Sequence, residues 1–375
     1  MKIQMVDLKG QYEKIKYEID NAILNCINTS QFIKGPVVAE FQEELERYLG
    51  VKYVITCGNG TDALQIALMA LDLQPGDEVI IPAFTYAATA EVIGLLRLTP
   101  VLVDINKDSF NIDIKSVENA ITPKTKAIIP VHLFGQGADM ESLLKIAEEK
   151  NIFIVEDAAQ AIGASYIFSN GDRKRLGTIG AIGCTSFFPS KNLGCYGDGG
   201  ALMTNDPLLA EKIRSIANHG QQIQYIHDII GVNSRLDAIQ AGILLPKLAR
   251  LDEYNKARIV AADYYDENLK AIEDIIVPFR LENSTHVFHQ YTIKVKNGSR
   301  DKLKDFLKSK GIPSMIYYPK PLHHQSAYMN IINIKSELEY SENIPKEVLS
   351  LPIHTELDSI QQDFIINAIK EFFHK

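Results

Sequence analysis

The sequence predicts an α/β fold, a mostly parallel sheet covered by helices, with a smaller C-terminal α+β domain behind it. Three observations carry this. From about residue 50 to 205, short β-branched runs alternate with helical stretches. The runs are continuously apolar, as strands covered on both faces must be. A chain of 375 residues with 46% hydrophobic content has apolar area for one large core and a second, smaller one.

Taken in order, KYVITC reads as a strand, TDALQIALMALDL as a helix, DEVIIPAF as a strand, YAATAEVIGLL as a helix and PVLVDI as a strand. The rhythm continues through the strand KAIIPVHLFG, the helix ESLLKIAEEK and the strand IFIVED. Residues 234–272 keep a helical pattern for longer than any neighbour and read as a connector, which Pro246 is expected to bend or break. YTIKVK, KLKDFLKSKGI, SMIYYP and a closing helix IQQDFIINAIKEFF then suffice for the small domain. The predicted division is 1–250 for the large domain and 251–375 for the small one.

Composition narrows the function. A net charge of -8 with no long run of one sign makes nucleic acid and anionic membrane poor partners. The opening MKIQMVDLKGQYEKIKYEID has no apolar segment behind a basic flank, and no stretch approaches the ~18 apolar residues of a membrane span. A cytoplasmic location is therefore expected. Cys26, Cys57, Cys184 and Cys195 form no CxxC pair, so neither a disulfide framework nor a metal site is predicted.

Three segments carry chemistry. CGNGTDA places a glycine turn between a strand and a helix, where free backbone N–H groups and the helix dipole attract a phosphate. It also matches a dinucleotide fingerprint, but a dehydrogenase would want an acid at the end of the next strand, and that strand ends IIPAF. A plain turn with Thr61 or Asp62 as helix cap is the alternative. In IFIVEDAAQ, Asp157 falls at the carboxyl end of a buried strand, where a pyridinium nitrogen would justify a carboxylate, although such an Asp can also simply close a turn. In CTSFFPSKNLGCYGDGGALMTN, an apolar strand delivers Ser186 and then Lys191 into a glycine-rich turn. Partial burial would lower the amine's pKa and make it a nucleophile; the alternative is a solvated loop lysine.

With these segments the sequence resembles the DegT/DnrJ/EryC1/StrS family of sugar aminotransferases, fold-type-I enzymes dependent on pyridoxal 5'-phosphate (PLP). The resemblance runs from VDLKGQY through CGNGTDALQIAL, PAFTYAATAE, EDAAQAIGA, TSFFPSKNLGCYGDGGA and GVNSRLDAIQA to YYPKPLHHQ. It implies Lys191 as the Schiff-base lysine, Asp157 as the pyridinium partner, Gln160 beside the cofactor's phenolic oxygen and Tyr86 stacked on its ring. Gly60, Thr61 and Ser186 would hold the phosphate. Asn233 would reach in from a second subunit, which implies a homodimer with shared active sites. Members with His in place of this lysine dehydrate their substrates, so Lys191 favours transamination from L-glutamate, with 2-oxoglutarate as coproduct.

The segments ANHGQQIQY, GVNSRLDAIQAGILLPKL and YYPKPLHHQ resemble the branch that aminates C3 of UDP-linked 3-keto N-acetylhexosamines. Arg235, Tyr318 and His323 are candidates for gripping diphosphate and sugar, with a merely structural histidine as the alternative for His323. Uronate-using members carry His where this chain has Tyr317, which favours neutral UDP-3-keto-GlcNAc over its uronic acid. A dTDP-linked keto-deoxy sugar is a further alternative. A non-enzymatic sugar-nucleotide sensor is the remaining rival, and a sensor has no need of a ring-nitrogen acid aligned with an amine.

Overall fold

A computed structural model describes residues 3–373. The predicted rhythm forms β1 (Tyr53–Cys57), β2 (Glu78–Pro82), β3 (Thr99–Val103), β4 (Thr125–Ile128) and β5 (Phe153–Asp157). A hairpin of β6 (Ser165–Ile167) and β7 (Arg173–Arg175) precedes β8 (Ile182–Ser186) and β9 (Gly200–Thr204). A second hairpin joins β10 (Gln221–Ile223) to β11 (Ile226–His227). The last third adds β12 (Ile275–Ile276), β13 (Tyr291–Val295), β14 (Asn333–Ile334) and β15 (Val348–Leu351).

The large sheet has the order β1-β9-β8-β5-β4-β2-β3-β14. Within it β9 alone runs against the rest, antiparallel to both β1 and β8, while the other neighbours pair parallel. The cause is local. Residues 187–199, between β8 and β9, contain no helix to carry the chain across a face, so it turns straight back and pairs Gly200 with Ser186. The carboxyl ends of β1, β5 and β8 consequently open on one edge.

Successive side chains of the central strands bury on opposite faces. Val79, Ile81 and Leu102 pack with Ala67, Val92 and Ile213 from the helices Gly60–Ala70, Ala88–Leu95 and Pro207–Ala217. Ile80, Val101 and Val103 pack on the other face with Val117 and Leu143 from the helices Ile114–Ala120 and Met140–Lys150. Each such side chain contributes ~1.5–3 kcal/mol when fully buried, which is why neither face of these strands is left open.

The long helical stretch is two helices, Ala238–Leu248 and Leu251–Leu269. Pro246 lies inside the first without breaking it at once; the helix ends at Leu248, two residues further on. The second helix buries Leu251 against Phe41 and Leu244, then Tyr265 and Leu269 against the antiparallel sheet β12-β13-β15. Leu303, Leu307, Ile365 and Ile369 close that smaller core. One strand from this part of the chain goes elsewhere: β14 pairs with β3 and completes the edge of the large sheet. All four cysteines are free and buried, and among the described residues no helix is long and apolar enough to cross a membrane.

Candidate active site

Two glycines let three strand ends meet. Gly200 stands between Cys57 of β1 and Ser186 of β8, and a Cβ there would lie 2.4 Å from the Asn59 carbonyl oxygen. A Cβ on Gly60 would lie 2.8 Å from that of Ser186. Only bare backbone allows the glycine turn to close over the start of β9 and bring the N-terminus of the helix Gly60–Ala70 beside the Ser186 hydroxyl.

The cap of that helix is neither Thr61 nor Asp62. Asn59 supplies it, its side-chain oxygen accepting from the Asp62 N–H at 2.8 Å. Asp62 is thereby free to accept from the Ser234 hydroxyl at 2.6 Å, and Ser234 accepts in turn from the Gly58 N–H at 2.8 Å. This chain of bonds ties the NSRLD segment to the turn.

A cavity of about 660 Å³ opens at the shared edge. Gly60, Thr61, Tyr86, Asp157, Gln160, Ser186, Lys191, Tyr317 and Tyr318 all line it. Asp157 is 7% exposed; its Oδ1 accepts from the Ala159 N–H at 3.1 Å and its Oδ2 from the Thr89 hydroxyl at 3.2 Å. Burial pushes its carboxyl up, opposed by the Ala159 N–H, the Lys191 charge and Thr89. The Lys191 N–H donates to the Phe188 carbonyl at 2.8 Å, which fixes the turn that carries it. Desolvation lowers the Lys191 amine to about 8, and the Asp157 charge works against that drop. More of this amine than of an ordinary lysine is therefore unprotonated near neutral pH and able to attack an aldehyde.

Gln160 accepts from the Phe134 N–H at 2.8 Å and donates to the Tyr318 hydroxyl at 3.1 Å, so its amide is oriented from both ends. Tyr86 keeps 58% of its surface exposed, with its ring centroid 6.0 Å from that of Tyr318. An anion pole at a helix N-terminus, a buried carboxylate, a depressed lysine and a free aromatic face make one donor set. It fits the phosphate, ring nitrogen, aldehyde and ring face of PLP.

Three expected residues stand apart from this cavity within the chain. Asn233 is exposed, and Arg235 lines a second cavity of about 570 Å³ together with Lys34 and Arg214. His323 places its Nε2 2.6 Å from Glu342 Oε1, and His324 lies 3.1 Å from the same oxygen. The buried Nδ1 of His323 has no partner among the described residues.

The structure also brings in residues to which the sequence assigned no role. Thr89 steadies Asp157 from a helix 68 positions earlier in the chain. His289 joins the cavity wall from the approach to β13. Behind Asp157, Glu156 is fully buried and accepts from the Gly177, Ile179 and Gly180 N–H groups at 2.8, 2.6 and 2.7 Å and from His132 Nε2 at 2.9 Å. The acid in the EDAAQ segment was the only sequence signal for that network.

Comparison with known proteins agrees with the geometry. The model of the DegT/DnrJ/EryC1/StrS aminotransferase family matches residues 13–370. The chain is 47% identical over 98% of its length to a UDP-2-acetamido-2-deoxy-3-oxo-D-glucuronate aminotransferase from Pseudomonas aeruginosa, of which 99% is covered. It is 42% identical to a UDP-N-acetyl-3-dehydro-alpha-D-glucosamine 3-aminotransferase from Acidithiobacillus ferrooxidans, over 99% of this chain and 98% of the relative. A pleiotropic regulatory protein from Geobacillus stearothermophilus is 46% identical over 100% of this chain and 99% of its own. Among solved structures, an aminotransferase of this family from Brucella abortus superposes with a TM-score of 0.95 at 44% identity, covering 100% of both chains. NtdA from Bacillus subtilis, with its cofactor PMP bound, gives 0.88 at 33% identity over 96% of this chain and 82% of that one. A cavity whose donors fit PLP and an alignment that spans almost every residue lead to one conclusion: this chain belongs to the DegT/DnrJ/EryC1/StrS family and is a PLP-dependent sugar aminotransferase.

Proposed function

We propose that the enzyme transfers the amino group of L-glutamate to the 3-keto group of UDP-3-keto-GlcNAc, giving UDP-GlcNAc3N and 2-oxoglutarate. One observation carries the choice of a neutral sugar. Tyr317 lines the cavity with a phenol that brings no positive charge for a carboxylate at C5.

PLP, when bound, supplies the electron sink that lets an amino group and a proton exchange on carbon. The chain's own residues do the rest. Lys191 would hold the cofactor and carry the proton, Asp157 would keep the ring nitrogen protonated, and Gln160 would serve the phenolic oxygen. Tyr86 would cover the ring, while the Gly60 and Thr61 backbone and the Ser186 hydroxyl would take the phosphate. In this reading Asn233 and Arg235 serve the site of a second copy, which is supported by their lying outside their own chain's cavity. The enzyme then works as a cytoplasmic homodimer, and its product suits lipid A and other lipopolysaccharide assembly.

A second reading is the same reaction on the uronic acid, favoured by the 47% identity to the Pseudomonas aeruginosa glucuronate aminotransferase. Purified protein with PLP and L-glutamate is offered the neutral 3-keto sugar and the uronate side by side, and the 3-amino products are followed by mass spectrometry. Faster amination of the neutral sugar, lost in Lys191→Ala, supports the first reading. Faster turnover of the uronate overturns it in favour of the second.

A further inference from the structure

Thr89 is fully buried in the first turn of the helix Ala88–Leu95, and its hydroxyl donates to Asp157 Oδ2 at 3.2 Å. The other carboxylate oxygen, Oδ1, accepts from the Ala159 N–H at 3.1 Å. A carboxylate offers about four acceptor positions, so these two bonds leave room on Asp157 for a donor in the cavity it lines.

The backbone of Asp157 is held from both neighbouring strands. Its N–H donates to the Pro130 carbonyl at 2.9 Å, its carbonyl accepts from the His132 N–H at 3.0 Å, and it stands opposite Cys184 in the pairing of β5 with β8. What remains to be fixed is the turn of the carboxylate about its own bonds. Ala159 lies two residues on and moves with Asp157, so Thr89 is the contact that ties the carboxylate to a different element. A β-branched side chain is stiff at χ1, which makes this hydroxyl a firm reference point. The same segment places Tyr86 and Ala88 on the cavity wall.

Charge adds to geometry. A hydroxyl bonds a carboxylate more strongly than a neutral carboxyl, so Thr89 favours the ionised form against the burial that pushes this group up. The Ala159 N–H, Lys191 and His132 favour ionisation too, while Cys184 and Tyr318 are the neighbouring groups whose own ionisation the Asp157 charge opposes.

We propose that Thr89 is a positioning residue for Asp157: its hydroxyl holds the carboxylate turned to the cavity and ionised, so that the proton of a bound pyridinium stays on the ring nitrogen. The inference rests on the reading of Asp157 as the ring-nitrogen partner and is independent of which sugar is aminated. Loss of one charge-assisted bond is expected to move the proton's distribution by about tenfold, the effect of ~1 pKa unit.

The test compares Thr89→Val, which keeps the shape and removes the donor, with Thr89→Ser, which keeps the donor. Asp157→Asn serves as the reference for a lost carboxylate. Each holoenzyme is read by the pH titration of the bound cofactor's absorbance and by the rate of the half-reaction with L-glutamate alone; thermal melting and cofactor content check folding and loading. In Thr89→Val the titration midpoint should move in the same direction as in Asp157→Asn, with a rate reduced about tenfold at unchanged glutamate KM. Thr89→Ser should recover most of both. Should the Val variant fail to fold or load, Thr89→Ala is read in its place with the same expectation. A folded, loaded donor-free variant that titrates and reacts like the wild type overturns the proposal, as does equal impairment of that variant and Thr89→Ser. If Asp157→Asn itself titrates like the wild type, the ring-nitrogen reading of Asp157 falls, and the role of Thr89 falls with it.

Discussion

Lys247 reaches out of the helix Ala238–Leu248 and donates from Nζ to the Gly194 carbonyl at 2.7 Å, holding the Lys191 loop from behind. The side chain is 1% exposed, and its ammonium sits 4.2 Å from the centroid of the Tyr196 ring. Gly194 is itself pressed against the loop, where a Cβ would lie 2.3 Å from the Pro189 carbonyl oxygen. One lysine thus braces the turn that presents the other.

Replacing this brace with Met keeps the volume and orphans the Gly194 carbonyl. Lys247→Met is expected to lose about 1–3 kcal/mol of stability through that unsatisfied acceptor, offset in part because a buried charge is removed. The loop should also hold the cofactor less firmly. Urea unfolding and a PLP titration followed by absorbance check the two effects separately.

The depressed Lys191 amine predicts a pH window. In cofactor-free protein the rate of PLP capture should rise as pH passes through about 8 and then level off, well short of the ordinary lysine range. For stability, the folded pKa lies below the unfolded one of ~10.4. The unfolded chain therefore binds more protons between those values, and this residue's contribution to stability increases with pH across the window. Stopped-flow absorbance at stepped pH measures the first, and a Lys191→Met control isolates the second.

Asp157→Asn keeps the shape and the Thr89 contact but removes the charge that faces Lys191. Its expected effect is a loss of about 10²-fold or more in the glutamate half-reaction, the scale of a positioned proton-holding group. Because desolvation of a buried carboxylate is also relieved, stability should change little. Single-turnover kinetics and thermal melting together distinguish this outcome from simple unfolding.

Glu156 offers the opposite balance. It accepts three backbone N–H bonds and one from His132, and an amide in its place would point hydrogens at donors. Glu156→Gln is expected to destabilise by roughly 3 kcal/mol, since it breaks a fully satisfied buried network from one side. Denaturant unfolding is the measurement, with activity per folded molecule as the companion reading.

Tyr317 is the lever on specificity. A histidine there, once protonated, adds a donor to the cavity wall that a carboxylate can use. Tyr317→His should shift the ratio of kcat/KM toward the uronic acid by about tenfold, which corresponds to ~1.4 kcal/mol. Competition between the two keto sugars in one tube, resolved by mass, reads the ratio directly.

What the sequence by itself determined was local. Alternating apolar runs specify strands and helices because burial periodicity lies in neighbouring residues, and strand ends fix which side chains reach the sheet edge. That is why Lys191, Asp157, Ser186 and the glycine turn were legible, and why their order along the chain pointed to one family, whose resemblance in turn implied Gln160. The tertiary structure decided what local pattern cannot hold. The reversal of β9, the joining of β14 to β3, Thr89 on Asp157 and Lys247 on Gly194 are contacts between segments far apart in sequence. The same holds for the helix cap, where Thr61, Asp62 and Asn59 all qualify by type, and for His323, which Glu342 claims. Partner choice among such groups is settled by packing geometry, because a hydrogen bond depends on distance and angle in space and leaves no periodic trace in the chain.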